Sequence, residues 1–183
     1  GTPTYTYAWA PSGGTSSSAS GLNAATYTVT ITDLNGCTTT ATSVVAEPAQ
    51  VTATLAASAN VSCNGASDGS ASVTAGGGIP GYTYTWSPSG GNAANATGLG
   101  AGTYTVSVTD ANNCTNTTTA IIAEPVLLTS SITATTDVSC NGMNDGSGTV
   151  AGNGGTPNYT YSWSPSGGSG TVEPNLTAGN YTV

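Results

Sequence analysis

The residues of this chain that could do chemistry are few and narrow in type. The sequence has four cysteines, eight carboxylates and three tryptophans, but no lysine, arginine or histidine. The usual general bases, the Schiff-base amine and the Ser-His and Cys-His pairs are therefore missing, and an enzyme is not expected. With no cation to displace counterions from phosphates, nucleic acid is excluded as a partner, and so is an anionic membrane surface.

These residues recur at a fixed interval. Cys37 and Cys114 are 77 residues apart, and Cys63 and Cys140 are separated by the same distance. The tryptophans keep the interval too, at Trp9, Trp86 and Trp163. A constant interval shared by different residue types is the signature of a tandem repeat.

The 77-residue register divides the chain into three parts. Residues 49–125 form a complete repeat, residues 1–48 the C-terminal part of one repeat, and residues 126–183 the N-terminal part of another. We expect the chain to be a stretch of a longer array. No run of apolar residues is long enough to insert into a membrane.

Within the complete repeat the apolar residues alternate with polar ones. Tyr82, Tyr84 and Trp86 alternate with threonines, and the same period of two is found in 51–55 and 104–108. Weaker strand candidates lie at 70–75, 92–97 and 114–122, and turns rich in glycine, asparagine and proline separate them. Six short strands of this kind predict an all-β fold, with tandem immunoglobulin-like antiparallel β-sandwiches of 77 residues.

So small a core suggests a covalent staple. If the six strands alternate in direction, Cys63 after the first and Cys114 after the fifth lie at one end of the sandwich, which favours a disulfide between them. Cys37 and Cys140 would then pair outside this stretch. The competing pairs are Cys37 with Cys63 and Cys114 with Cys140, which end-to-end joining would hold far apart; four free thiols are a third alternative. Paired cysteines would indicate an extracellular location.

Several motifs together resemble a known family. They are VSCNGxxDGS at 61–70 and again at 138–147, the GLxAGTYTVxVTDxNxC segment at 98–114, and a closing Glu-Pro pair. This combination is similar to the SprB-type repeat of long cell-surface adhesins of Bacteroidota, which are associated with gliding motility. The resemblance implies a secreted, filamentous surface protein that contacts a substratum, and it implies no catalytic residues.

Two aspartates are candidate calcium ligands. On the alternating-strand arrangement Asp68 and Asp110 lie at the same end of the sandwich, where their oxygens could contribute to a Ca²⁺ site. Two carboxylates are few for an ion that takes six to eight oxygen ligands. The favoured interpretation is therefore that the aspartates stabilise tight turns through hydrogen bonds to the backbone. No other cofactor is indicated.

The aromatic residues allow a second function. Exposed and coplanar rings, with Trp86 the main candidate, could form a platform that stacks on a glycan, although their placement on one face of central strands favours a core. The outer faces carry threonine and serine in place of charges, which leaves the strand edges open to lateral copies of the chain in a fibre.

We therefore predict the structural shaft of a long extracellular adhesin or surface filament. Its units would be disulfide-stapled, short Glu-Pro joints such as Glu124-Pro125 would limit bending, and its partners would be neighbouring repeats of the same chain. The alternatives are a multivalent array of carbohydrate-binding modules, whose weak contacts add up through avidity, and the accessory region of an extracellular enzyme.

Overall fold

The computed structural model describes residues 1–183 and contains strands but no helices. Two compact units are present, Gly1–Gln50 and Val51–Val183. None of the elements is a helix long and apolar enough to cross a lipid bilayer. The strands are β1 Thr6–Ala10, β2 Ala25–Thr32, β3 Thr38–Val45, β4 Thr52–Ala59, β5 Gly69–Gly76, β6 Thr83–Ser87, β7 Asn95–Leu99, β8 Gly102–Thr109, β9 Thr115–Ile122, β10 Thr129–Thr136, β11 Gly146–Asn153 and β12 Val172–Leu176.

The complete repeat contains two three-stranded antiparallel sheets. One sheet has the order β4-β5-β7 and the other the order β6-β8-β9. The three strands predicted from the period-two pattern are present, and each of the three weaker candidates overlaps a strand. The inner side chains of these strands meet between the sheets because alternate residues of a strand point to opposite faces.

Strand direction does not alternate regularly along the chain. β6 is antiparallel to β8, and β7 is antiparallel to β5. β4 and β9 run parallel, since Val51 contacts Asn116 near the start of both strands and Val61 contacts Ala123 near their ends. It follows that β6 and β7, although consecutive, run in the same direction, and the β6–β7 connection crosses from one sheet to the other.

The core of the complete repeat is small but closed. Twelve buried residues form it: Val51, Val61, Ala71, Val73, Trp86, Ala96, Leu99, Tyr104, Val106, Val108, Ala120 and Ile122. Val106 and Val108 at the centre of β8 are fully buried. The two sheets are thus held together by apolar packing, which the sequence had suggested would need covalent help.

A tyrosine near the start of β8 ties this strand to the preceding turn. The Tyr104 hydroxyl donates a hydrogen bond to the Gly100 carbonyl, 3.1 Å away. Tyr27 and Tyr181 make the same bond four residues back, to Asn23 and Thr177. This tyrosine corner and the buried tryptophan on the third strand are features of immunoglobulin-like sandwiches, and the connectivity here corresponds to one that lacks its D strand.

The partial repeats contain one sheet each. In the N-terminal unit β1, β2 and β3 form a sheet that corresponds to β6-β8-β9, and in the C-terminal part β10, β11 and β12 correspond to β4-β5-β7. Each reproduces the pairing of its counterpart. The repeat therefore determines the local sheet even where the second sheet is not formed beside it.

Candidate functional site

The two cysteines of the complete repeat mark its two ends. The loop that carries Cys63 lies beside Pro125, where the chain leaves the complete repeat, because the Asn64 side chain donates a hydrogen bond to the Pro125 carbonyl. Cys114 immediately precedes β9, at the opposite end of that strand. Eight residues of β9 at about 3.3 Å each separate the ends by roughly 26 Å, far beyond the reach of a disulfide.

The predicted disulfide between Cys63 and Cys114 is therefore wrong. All four cysteines, Cys37, Cys63, Cys114 and Cys140, are free and exposed, and the competing pairs are not formed either. The prediction assumed that six consecutive strands alternate in direction. Because β6 and β7 run the same way, the connection after β8 lies at the end opposite to the connection after β4.

The calcium candidates are separated for the same reason. Asp68 lies in the β4–β5 loop, at the end of the sandwich where the chain leaves the repeat, whereas Asp110 lies at the end where the chain enters. The prediction that the two aspartates lie at the same end is therefore also wrong. Asp68 accepts a hydrogen bond from the Ser62 amide at 2.9 Å. No group of three or more His, Cys, Asp or Glu side chains comes together in the structure.

Asp110 joins two connections at the N-terminal end of the sandwich. One of its oxygens accepts hydrogen bonds from the amides of Asn112 and Cys114, at 2.9 and 2.8 Å, and the other accepts one from the Ile79 amide at 2.9 Å. The side chain is buried. Asp33 makes the equivalent bonds in the N-terminal unit, so turn bracing recurs at this position of the repeat.

We expect acid to weaken the complete repeat through Asp110. The amide of Ile79 first, and then those of Cys114 and Asn112, lower the pKa of Asp110, and desolvation opposes them only in part. A carboxylate with a lowered folded pKa stabilises the fold above its unfolded value of about 3.9, and this contribution is lost as the pH falls through the lower folded value. Thermal unfolding of Asp110→Asn should therefore show a lower melting temperature at pH 7, with the difference from wild type shrinking below pH 4. An equal difference at pH 7 and pH 2 would contradict the assignment.

The aromatic side chains form a core and not a platform. Trp86 is 5% exposed, and its indole nitrogen donates to the Ala93 carbonyl at 2.9 Å. Tyr104 is also buried, and Tyr82 and Tyr84 pack against the same cluster. The interpretation of Trp86 as a ring for glycan stacking is wrong, because the side chain is buried in the core of the repeat.

The Glu-Pro pair at the chain exit is fixed in place. The Gly65 amide donates to the Glu124 carboxylate at 2.8 Å, and the Asn64 side chain donates to the Pro125 carbonyl at 3.1 Å. Pro125 is half-buried. The exit of the chain is thus attached to the β4–β5 loop, and the direction in which it leaves the sandwich is restricted.

The parallel pair β4 and β9 forms a seam between the two sheets. At its C-terminal end the Val61 amide donates to the Ala123 carbonyl, and the Ala123 amide donates to the Asn60 side chain. At its N-terminal end the Asn116 side chain donates to the Val51 carbonyl at 2.8 Å.

The sequence pattern did not single out the two asparagines of this seam. Comparison of the repeats could not have found them, because Asp137 and Thr39 stand at the corresponding positions. The role of the two asparagines follows only from the folded structure, in which their side chains form hydrogen bonds between β4 and β9.

The comparisons with known proteins bear on the repeat itself. The SprB repeat family matches residues 55–91 and 132–168, which are 77 residues apart, so the resemblance predicted from the motifs is confirmed for these two segments. No curated protein matches the chain.

Among solved structures, the three N-terminal domains of the bacteriophage RB49 highly immunogenic outer capsid protein (Hoc) are similar. The TM-score is 0.46 and the sequence identity is 18%. The similarity covers 87% of this chain, which spans 64% of that chain's length.

Proposed function

We propose that the chain is part of the shaft of a surface adhesin or filament, in which each sandwich is a spacer that carries tension along the array. The match to SprB repeats supports a location at the cell surface. The observation that carries the proposal is the parallel arrangement of β4 and β9, with the chain entering at Val51 and leaving at Pro125. The complete repeat thereby transmits force from one end to the other.

This arrangement resists extension. Tension pulls the start of β4 toward one end and the finish of β9 toward the other, so the two strands are loaded in shear. The contacts of Val61, Asn60 and Asn116 must then fail together and not one after another. A spacer of this kind needs neither a catalytic residue nor a ligand pocket, and no staple is required, because the seam lies between the points of loading.

The joint is the second element of the mechanism. The hydrogen bonds of Glu124 and Pro125 to the β4–β5 loop restrict the direction of the chain as it leaves the sandwich. Proline adds stiffness, since its ring fixes one of the two backbone dihedrals. This supports the prediction that Glu-Pro joints limit bending. The carbohydrate-module alternative has no observation in its favour, because Trp86, its main candidate ring, is buried.

Single-molecule pulling of the full chain by its two termini tests the proposal. We expect one force peak whose contour-length gain corresponds to the complete repeat, and we expect Asn60→Ala combined with Asn116→Ala to lower that force. Each substitution removes one hydrogen bond, worth about 0.5–1.5 kcal/mol. Asn92→Ala, in the exposed β6–β7 connection, is the matched control and should leave the force unchanged.

Two results would overturn the proposal. One is extension of the complete repeat without a force peak, which would mean that the strands peel apart under low load. The other is an equal effect of Asn92→Ala and of the double variant, which would show that the seam does not bear the load.

A further inference from the structure

The loop between β4 and β5 has an asparagine followed by a glycine at its turn. Asn64 and Gly65 are both exposed. The Ala66 amide donates to the Cys63 carbonyl at 3.1 Å, and Gly65 has a φ of 77°, so the pair forms the centre of a tight turn. In such a pair the backbone nitrogen of the glycine can attack the asparagine side chain, because glycine has no Cβ atom to hinder the approach.

The reaction removes the side-chain amide of Asn64. The Gly65 nitrogen loses its proton and forms a bond to Cγ of Asn64, while the bond from Cγ to Nδ2 breaks and Nδ2 leaves with that proton as ammonia. Water then opens the resulting succinimide ring to aspartate or isoaspartate. Water is the only other reactant, and the product carries a carboxylate in place of a neutral amide.

Two hydrogen bonds oppose this reaction at the point where the chain leaves the complete repeat. The Gly65 amide points at the Glu124 carboxylate, 2.8 Å away, so the lone pair that proton loss leaves on the nitrogen also points at Glu124 and not at Cγ of Asn64. The carboxylate also disfavours a negative charge on the nitrogen beside it. The departing Nδ2 of Asn64 is itself held by the Pro125 carbonyl at 3.1 Å. Ring closure therefore requires that the Glu-Pro joint first detach from the loop.

We propose that Asn64 is a deamidation site that the joint protects, and that its deamidation holds the joint open. A carboxylate at position 64 cannot donate to the Pro125 carbonyl, and it places a second negative charge beside Glu124. No lysine, arginine or histidine is present in the chain to offset the two charges. A joint that has detached for long enough would thus stay more flexible. The inference rests on the two hydrogen bonds and not on the load-bearing function proposed above, so a failed pulling experiment leaves it standing.

A second Asn-Gly pair provides an internal reference. Asn141 and Gly142 form the same turn, since the Met143 amide donates to the Cys140 carbonyl at 3.1 Å and Gly142 has a φ of 82°. Both residues of the pair are exposed. The position that corresponds to Glu124 lies outside the 183 residues, so in this chain the pair should react at the rate of an unprotected loop.

Mass spectrometry of the full chain after incubation at mildly alkaline pH tests the inference. Pepsin would provide the peptides, because the chain has no trypsin site. In wild type we expect Asn64 to deamidate at least about fivefold more slowly than Asn141, which corresponds to a hydrogen bond worth about 1 kcal/mol. Glu124→Ala should bring the two rates together, whereas Glu124→Gln, which keeps a neutral acceptor, should give an intermediate rate.

Asp110→Asn is the matched control. It also removes a carboxylate that accepts backbone hydrogen bonds in the complete repeat, but at the opposite end of the sandwich. It should leave the deamidation rate of Asn64 unchanged. This comparison separates detachment of the joint from a general loss of stability.

Exchange of the Gly65 amide hydrogen, followed by NMR, measures the state of the joint directly. Asn64→Asp has the side chain of the product and should speed this exchange at neutral pH, whereas Asn141→Asp should not change it. Three results would each overturn the inference: equal deamidation rates of Asn64 and Asn141 in wild type, a rate at Asn64 that Glu124→Ala does not raise, and unchanged Gly65 exchange in Asn64→Asp.

Discussion

Replacing Trp86 with alanine is expected to destabilise the complete repeat by about 3–5 kcal/mol, the usual cost of removing a large buried aromatic side chain. Trp86 is 5% exposed, lies between the two sheets and satisfies its indole nitrogen on the Ala93 carbonyl. Its removal creates a cavity and removes a buried hydrogen bond. The change should be visible as a large shift of the denaturant midpoint followed by circular dichroism.

Trp9→Ala provides the matched control. Trp9 has the same position in the repeat and an equivalent hydrogen bond to the Ser16 carbonyl, but it is only half-buried in the N-terminal unit. Less apolar area is lost there, so the destabilisation should be smaller. An unchanged midpoint for Trp86→Ala, together with loss of retention on immobilised glycans, would contradict the burial of the ring and restore the platform interpretation.

Replacing Gly69 with alanine is expected to have the second-largest effect, about 1–3 kcal/mol or more, because it overpacks a closed site. A Cβ atom at position 69 would lie 2.7 Å from a methyl group of Ile122 and 2.8 Å from the Leu99 carbonyl oxygen. The carbonyl belongs to the paired strand β7 and cannot move without breaking the sheet. Equilibrium unfolding in urea would measure the loss.

Gly146 is the equivalent residue in the C-terminal part, and there the same substitution should cost less. Its added Cβ would lie 3.0 Å from the Leu176 carbonyl oxygen, 3.1 Å from the Thr136 carbonyl oxygen and 3.3 Å from a methyl group of Val138, and none of these contacts is as short as the two closest at Gly69. Comparison of Gly69→Ala with Gly146→Ala thus isolates the contribution of the second sheet. Equal effects of the two substitutions would mean that β9 does not close over Gly69 in the complete repeat.

The strands could be predicted from the sequence, but their directions could not. The period of two located three strands of the complete repeat, because alternation reports which side chains face a core. The three weaker candidates also overlap strands, although β7 begins at Asn95, three residues later than expected. Alternation does not report which sheet a strand joins. The assignment of β6 and β7 to different sheets, with the same direction, depends on pairing with β8 and β5.

This limit explains the errors at the candidate sites. Counting strands predicts that Cys63 lies beside Cys114, and Asp68 beside Asp110, at one end of the sandwich. Because β6 and β7 run in the same direction, the two residues of each pair lie at opposite ends. The alternation predicts burial better than it predicts strand direction. It favours a core position for Trp86 and Tyr104, and both are buried in the structure. The β4–β9 seam was missed because its asparagines do not recur between repeats.

The separation of Cys63 and Cys114 tests the central claim most directly, namely that each repeat is a sandwich with parallel terminal strands and therefore a spacer loaded from end to end. Both thiols are exposed and can carry nitroxide labels in a chain with Cys37→Ser and Cys140→Ser. Pulsed electron paramagnetic resonance should give a single distance of roughly 26 Å or more, the length of the eight-residue strand between the two ends. A distance below about 10 Å would put both cysteines at one end and contradict the strand directions on which the account rests.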